Sequence, residues 1–446
     1  MTGGARFAAL KALLRMDSNK GYSNIVLNGT LKKYPLCDSD KALTSVLFYG
    51  VLERRITLDY IIGLFSKIPL KKISPAVLDI LRIGIYQIIY LEKIPDSAAV
   101  NESVKLAKEC GQAKASGFVN AVLRNLIRGR EKIAFPDKNK NFIRYLSVKY
   151  SLPEWIVTLW IDSYGRDTAV SLIRSMAQKP DIYIRVNNTV ISEEKLLEEL
   201  KYSGFDAEPV PWLDNAVKVR GGNIAASEAF KRGFFHVQDI SSQLCCFLLS
   251  PQSGETVADV CSAPGGKTFT IAERMEDKGT VFSFDKYKPK IKLVEDGASR
   301  LRLSIIKAAV RDALTAENPE AAADKVLCDA PCSGLGVLRR KPEIRYKPKS
   351  ELDSLPDLQY RILYRSSKFV KKGGILFYST CTLNQRENAG VADRFILENG
   401  NFKPFALKLP KTVEHVLNEP ENQITLMPCS HGTDGFFISA FIKTQE

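Results

Sequence analysis

Apolar residues recur at helical spacing through the first 130 positions of the chain. After Ser74-Pro75, which reads as a cap followed by proline at the first helical position, Val77, Leu81, Ile85, Ile88 and Leu91 fall on one stripe and predict a core helix. Ser97 to Lys108 and Lys114 to Arg130 continue the pattern. The latter stretch sets Phe118, Val122 and Leu126 against Lys114, Arg124, Arg128 and Arg130. An all-α bundle is therefore expected over 1–132. Residues 131–150 turn polar and Lys/Asn-rich, as linkers do. Beyond 150 the pattern is mixed, with helices expected over Leu152 to Ser163, Asp167 to Ala177 and Ser192 to Tyr202. One alternating strand is expected over Ile182 to Val186. Residues 140–230 thus read as a small α+β module.

From about 231 short apolar runs alternate with helical stretches. Thr256–Val260, Thr280–Asp285, Ser304–Ile306, Lys325–Asp329 and Ile375–Ser379 are expected strands. Gly435–Ile442 reads as a last strand, antiparallel at or near an edge. Such alternation predicts a doubly wound, mostly parallel α/β sheet over 231–446, a Rossmann-like third domain. No run approaches the roughly 18–20 apolar residues that cross a membrane. The start, with Arg6 and Lys11 among small and apolar residues, reads as an amphipathic helix and not as a signal peptide.

Charge changes the picture of the first domain. The net charge is +14, and residues 1–140 carry 23 Lys and Arg against 12 Asp and Glu, or +11 of it. A basic helical block implies a polyanionic partner, because Lys and Arg displace phosphate counterions. Nine cysteines at irregular spacing, none in a Cys-x-x-Cys pair, form no secreted disulfide framework and suggest a reducing cytoplasm. Only three histidines exist (His236, His415 and His431), and none has ligand spacing to the cysteines, so no metal site is expected. Proton transfer must then fall to carboxylates, thiols, lysines or water.

Ligands of a doubly wound sheet bind at the carboxyl ends of its strands. The first expected strand runs into Cys261-Ser262-Ala263-Pro264-Gly265-Gly266-Lys267, whose two glycines allow close backbone approach to a ligand. The leading glycine of a phosphate-binding loop is missing. Asp285 ends the second strand, where a carboxylate can accept from both ribose hydroxyls. Asp312 follows the third and can accept from an exocyclic amine. A nucleoside cofactor without pyrophosphate fits: S-adenosylmethionine. Asp329-Ala330-Pro331-Cys332-Ser333-Gly334 and Ser379-Thr380-Cys381-Thr382 put two thiols at the same edge. Together these suggest group transfer through a cysteine adduct, with either thiol able to be the nucleophile.

These motifs, in order and spacing, resemble those of the RNA cytosine-C5 methyltransferases of the Sun/RsmB and Nop2/NSUN superfamily. Gln238 to Gln243 is similar to the family's motif before the first strand, and Arg339 to Tyr346 to its basic loop. Ser262 stands where Ala is commoner, and Tyr346 where Trp is frequent. The N-terminal block resembles the NusB antitermination-factor domain, an RNA-binding bundle. That fusion typifies the subgroup acting on small-subunit (16S) ribosomal RNA, protein-free or in early assembly. The resemblance implies Cys381 as nucleophile, Cys332 in adduct breakdown and release, and Asp329 on the cytosine edge and beside the cofactor. It implies S-adenosylmethionine held by Cys261 to Lys267, Asp285, Asp312 and Asp329, and RNA contacted by Arg339, Arg340, Lys341 and Arg345. The same chemistry on tRNA or 23S rRNA is one alternative. Another is an RNA-binding or transcription factor with an inactive methyltransferase domain.

Overall fold

A computed structural model describes residues 4–18, 21–315, 322–407, 409 and 422–445. The chain forms two compact units, residues 1–177 with 338–347, and residues 178–337 with 348–446.

Helices build the first unit: α1 (Ala5–Ser18), α2 (Ser23–Lys33), α3 (Asp38–Phe65), α4 (Pro75–Tyr90), α5 (Asp96–Glu109), α6 (Ser116–Arg128), α7 (Phe142–Tyr150), α8 (Glu154–Tyr164) and α9 (Arg166–Ser175). The stripe on α4 is core as expected: Val77, Leu81, Ile85 and Ile88 are buried against Phe48, Val51, Leu123 and their neighbours. Pro75 opens α4, but the Ser74 hydroxyl lies 3.4 Å from Gln112 Oε1 and caps nothing. The expected linker is shortened by α7, whose start is capped by Asn141 Oδ1 accepting from Arg144 N at 2.9 Å. Helices α7–α9, which lie in the stretch expected as an α+β module over 140–230, fall in the first compact unit. The reason is direct: Thr57 Oγ1 donates to Val148 O at 2.6 Å, and Ile56 N to Ser151 Oγ at 3.0 Å.

The second unit holds two sheets. The smaller is antiparallel, in the order β2-β3-β1-β4, formed by β1 (Ile182–Val186), β2 (Asp206–Pro209), β3 (Ala216–Arg220) and β4 (Phe235–Val237). Helix α10 (Glu193–Tyr202) starts at Ser192, whose Oγ accepts from Lys195 N. Sequence periodicity finds β1 and α10 but not the other three strands. β4 has three residues, and β2 (Asp-Ala-Glu-Pro) buries none of its own.

The larger sheet has eight strands: β5 (Thr256–Asp259), β6 (Thr280–Asp285), β7 (Ile306–Val310), β8 (Ala323–Asp329), β9 (Val370–Thr380), β10 (Phe402–Pro404), β11 (Gln423–Leu426) and β12 (Phe436–Lys443). Its order is β10-β12-β9-β8-β5-β6-β7, with β11 also on β12. Strands β5 to β9 are mutually parallel, and β12 is antiparallel to β9, as expected of the last strand. Helices α12 (Ile240–Leu249), α13 (Gly266–Arg274), α14 (Lys288–Leu301), α15 (Leu355–Ser366) and α16 (Ala389–Glu398) connect or flank the strands. α11 (Glu228–Lys231) is a single turn before β4. Strand order reverses between β5 and β8, which opens a crevice at their carboxyl ends. Among the described residues no helix is long and apolar enough to cross a membrane.

Candidate active site

The register of β8 on β9 builds the site. Asp329 pairs with Ser379 at the ends of these parallel strands, so the loops carrying Cys332 and Cys381 leave the sheet side by side. Their Sγ atoms lie 3.3 Å apart. Asp329 is held on both oxygens: Ser379 Oγ donates to Oδ1 at 2.8 Å and Lys267 Nζ to Oδ2 at 2.6 Å. Burial alone would lower the Lys267 pKa, but the Asp329 carboxylate outweighs it and keeps the ammonium charged. Hydrogen bonding to Cys381 and burial push the Cys332 thiol well above the usual thiol range, and the charges of Cys381, Glu387 and Asp329 add to this.

Three further hydrogen bonds lock the two loops. Ser333 Oγ and Thr382 Oγ1 are 2.7 Å apart, Gly336 N donates to Cys381 O at 3.0 Å, and Gly435 N to Gly336 O at 2.9 Å. Beneath them Glu387 is fully buried and accepts from Ser333 N (2.8 Å), Gln359 Nε2 (2.9 Å) and Asn384 Nδ2 (2.9 Å). Sequence reasoning missed Glu387, Asn384 and Gln359. The available signal was the polar run Asn384 to Asn388 directly after a strand that ends in a thiol motif.

The turn from β5 into α13 has the shape the sequence suggested. Gly265 adopts φ +109°, and a Cβ there would sit 2.4 Å from the Phe269 ring. A Cβ on Gly266 would meet nothing closer than 3.6 Å, so that backbone is open to a ligand. The Ser262 hydroxyl donates to Phe284 O at 3.0 Å and shapes the turn. Cys261 and Ala263 pack, half-buried, against the sheet's two apolar clusters. Asp285 ends β6, accepting from Tyr287 N at 3.1 Å with Lys290 Nζ at 3.4 Å. Asp312 follows β7; Leu314 N and then Lys286, at 3.0 Å, hold its carboxyl below the usual range. Asp259, at the end of β5, is buried with Oδ1 unbonded, and burial pushes its pKa up to about 7. Two carboxylates, an open Gly turn and a charged lysine along β5, β6 and β7 are the donor set a nucleoside with an amino-acid tail requires.

One expected residue does not face a ligand. Residues 338–347 belong to the helical unit, where Arg345 is buried and donates to Glu53 O (2.8 Å), Ser151 O (3.4 Å) and Met176 O (3.2 Å). Its guanidinium is spent on backbone carbonyls, so the expectation that Arg345 contacts RNA is corrected. Lys341 is exposed, with Nζ 5.4 Å over the Tyr22 ring, and Arg339 and Arg340 are half-buried. Among the described residues no cluster of His, Cys, Asp and Glu could hold a metal ion. His415 lies outside the described residues.

The sequence and the fold are similar to those of known proteins. The family described as 16S rRNA methyltransferase RsmB/F matches residues 246–442, the NusB family matches 4–128, and an RsmF/B-like ferredoxin-like domain matches 152–224. The "Probable ribosomal RNA small subunit methyltransferase B" of Bacillus subtilis (strain 168) is 40% identical over 98% of both chains. The chain belongs to the RsmB/F family of S-adenosylmethionine-dependent rRNA methyltransferases. Ribosomal RNA small subunit methyltransferase B of Photorhabdus laumondii is 32% identical over 92% of each chain. The crystal structure of PH0851 superposes with TM-score 0.83 at 26% identity over 98% of each chain. The RsmB/F membership extends over all three sequence segments, helical, ferredoxin-like and Rossmann-like.

Proposed function

We propose that the chain transfers a methyl group from S-adenosylmethionine to C5 of a specific cytosine in 16S rRNA, through a covalent Cys381 adduct at cytosine C6. The observation that carries this reading is the thiol pair, 3.3 Å apart, beside the Lys267–Asp329 ion pair at the strand ends. Cytosine C5 is too poor a nucleophile to attack a methyl sulfonium unaided. Addition of the Cys381 thiolate to C6 makes C5 enamine-like.

Residues 261–267, with Asp285 and Asp312, would hold the cofactor, which when bound supplies an electrophilic methyl group. Asp329 Oδ1 and Oδ2 face the amine edge of the cytosine in this reading, and Lys267 balances their charge. Cys332, protonated while Cys381 is the thiolate, hydrogen-bonds the nucleophile before attack. After methyl transfer the C5 proton leaves to a base, the C5–C6 double bond re-forms and the Cys381 Sγ–C6 bond breaks. Cys332 assists that elimination. The target cytosine must leave its stack to reach both sulfurs. Exposed Lys341 and half-buried Arg339 and Arg340 would contact the RNA backbone, and the basic bundle would add non-specific affinity. All nine cysteines are free thiols, and the reading needs a compartment such as the cytoplasm that keeps them so.

Labelled methyl transfer to protein-free small-subunit rRNA, with C5-methylcytosine mapped by bisulfite sequencing, tests the proposal. Modification of one cytosine, lost in Cys381→Ala, is the expected result. Transfer only to tRNA or 23S rRNA would discard the substrate. Failure to bind S-adenosylmethionine would discard the activity.

A further inference from the structure

A buried carboxylate normally pairs with a cation, because an isolated charge in the interior is costly. Glu387 is fully buried. Its carboxylate is satisfied by N–H donors, and each donor comes from a different part of the site. Ser333 N lies in the loop that carries Cys332, and Asn384 Nδ2 in the loop that carries Cys381. Gln359 Nε2 projects from α15 and also donates to Pro331 O, the residue before Cys332, at 3.0 Å. The backbone of the same stretch is tied as well. Glu387 O accepts from Tyr378 OH at 2.5 Å, and Asn388 bridges Thr380 Oγ1 (2.6 Å) and Thr382 O (3.0 Å), on either side of Cys381.

We propose that Glu387 is the positioning residue of the thiol pair: its carboxylate ties the Cys332 loop, the Cys381 loop and α15 into one rigid bracket that sets the two sulfurs at contact distance. This rests on the two-thiol mechanism above and deepens it. An apolar side chain of similar volume would leave these three N–H donors without an acceptor. Only an acceptor with two oxygens can gather three N–H donors from three segments. The same negative charge faces Cys332, together with Asp329 and Cys381, while the Lys267 ammonium is already engaged by Asp329. Tyr378, with its own hydroxyl pushed up by burial and by these groups, completes the titratable neighbours. Glu387 therefore both fixes where Cys332 is and favours its protonated form.

The test is Glu387→Gln, which keeps size and removes charge and one acceptor. Methyl transfer to rRNA is expected to lose about 100-fold in kcat, as roughly 1 Å of misplacement does, with S-adenosylmethionine affinity and the KM for RNA within threefold of wild type. In the free protein, without RNA, iodoacetamide alkylation of Cys332 followed by peptide mass spectrometry should shift to lower pH. That readout does not depend on which nucleotide is methylated, so it separates failure of this proposal from failure of the cytosine reading. A kcat within twofold of wild type, or an alkylation profile that does not move, overturns the assignment. Should Glu387→Gln not fold, Asn384→Ala unties only the Cys381 loop. It is expected to lower kcat about tenfold at unchanged cofactor affinity, and a kcat within twofold overturns the proposal equally.

Discussion

Gly336 offers a sharp test of how closely the backbone at the thiol site is set. Its amide donates to Cys381 O at 3.0 Å and its carbonyl accepts from Gly435 N at 2.9 Å, so it is a rung between the backbone of Cys381, the proposed nucleophile, and the start of β12. A Cβ at this position would lie 1.9 Å from Gly435 O and 2.8 Å from Cys381 O. Ordinary contact begins near 3.4 Å, so Gly336→Ala asks two backbone segments to part by up to 3.4 − 1.9, or 1.5 Å. No flexible side chain can absorb that displacement, because every crowded atom is main chain. Overpacking of this kind costs about 1–3 kcal/mol of stability, which lowers Tm by roughly 2–10 °C in a domain of this size. Activity should fall much further. A reacting group misplaced by about 1 Å loses on the order of 100-fold in rate, and here Cys381 itself is bonded to the displaced residue. Initial rates of labelled methyl transfer to rRNA at saturating S-adenosylmethionine give kcat, and calorimetric titration gives cofactor affinity. The turn proposed to hold the cofactor lies between β5 and α13, so S-adenosylmethionine should bind within threefold of wild type. A folded Gly336→Ala protein with kcat within threefold of wild type would refute the claim that this backbone rung sets Cys381, the proposed nucleophile.

Exchange of the two thiols should separate their roles. Cys381→Ser is expected to abolish transfer, whereas Cys332→Ser should leave a covalent RNA–protein species visible on a denaturing gel; retained turnover in Cys381→Ser with loss in Cys332→Ser reverses the assignment. Asp259 has its folded pKa raised from 3.8 to about 7 by burial, so the unfolded chain ionises first and stability falls as pH rises from about 4 to about 7. Between pH 5 and pH 8 this removes about 3 kcal/mol, and denaturant melts of Asp259→Asn should show that much less pH dependence; equal slopes for both proteins would reject it. Arg345→Ala strips three buried carbonyls of their donor and should cost about 3 kcal/mol, with Arg345→Lys restoring little because an ammonium cannot span the three. Reversing Lys341 and Lys347, both exposed, should weaken RNA binding and flatten its salt dependence by about two counterions, at unchanged cofactor affinity; equal loss of both affinities would sink that division.

Alternation of strand and helix was enough to read the parallel sheet, because β5, β6, β8 and β9 are buried apolar runs that end in polar, chemically distinctive residues. The thiol motifs were legible for the same reason: a strand end is a sharp boundary in the sequence. What sequence patterning missed was short or shared. β2 and β4 carry too few residues for a period to emerge, and α7 begins inside a Lys/Asn-rich stretch whose polarity masks its apolar face. Arg345 was misread because a charge run next to a catalytic motif looks solvated. Nothing local signals that three carbonyls from residues 53, 151 and 176 converge on one guanidinium. Glu387 was missed for the same reason, since its donors come from positions 333, 359 and 384.

The scarcity of histidine acquires its meaning from where the described ones sit. His236 is buried between Glu273 (3.2 Å) and Thr270 (3.3 Å), and His431 Nδ1 accepts from Met427 N at 2.8 Å. Both rings are engaged in holding the fold, and burial lowers the pKa of His431 further from usefulness as an acid. Among the described residues, the groups around the thiol pair able to take or give a proton include Cys332, Cys381, Asp329 and Lys267, with Tyr378 and Glu387 beneath. Lys267 and Asp329 neutralise each other at 2.6 Å, and an ion pair that close is a poor proton carrier but a good fixed dipole for the polar edge of a base. In the proposed C5 transfer the Cys381 sulfur must be reprotonated when it leaves C6, and the Cys332 thiol lies 3.3 Å from it. Cys332, its thiol kept protonated by the hydrogen bond to Cys381 and by burial, can give that proton, but it cannot take the C5 proton while it carries its own. On this reading the second cysteine serves the release of Cys381, and the C5 proton leaves to another base or to water.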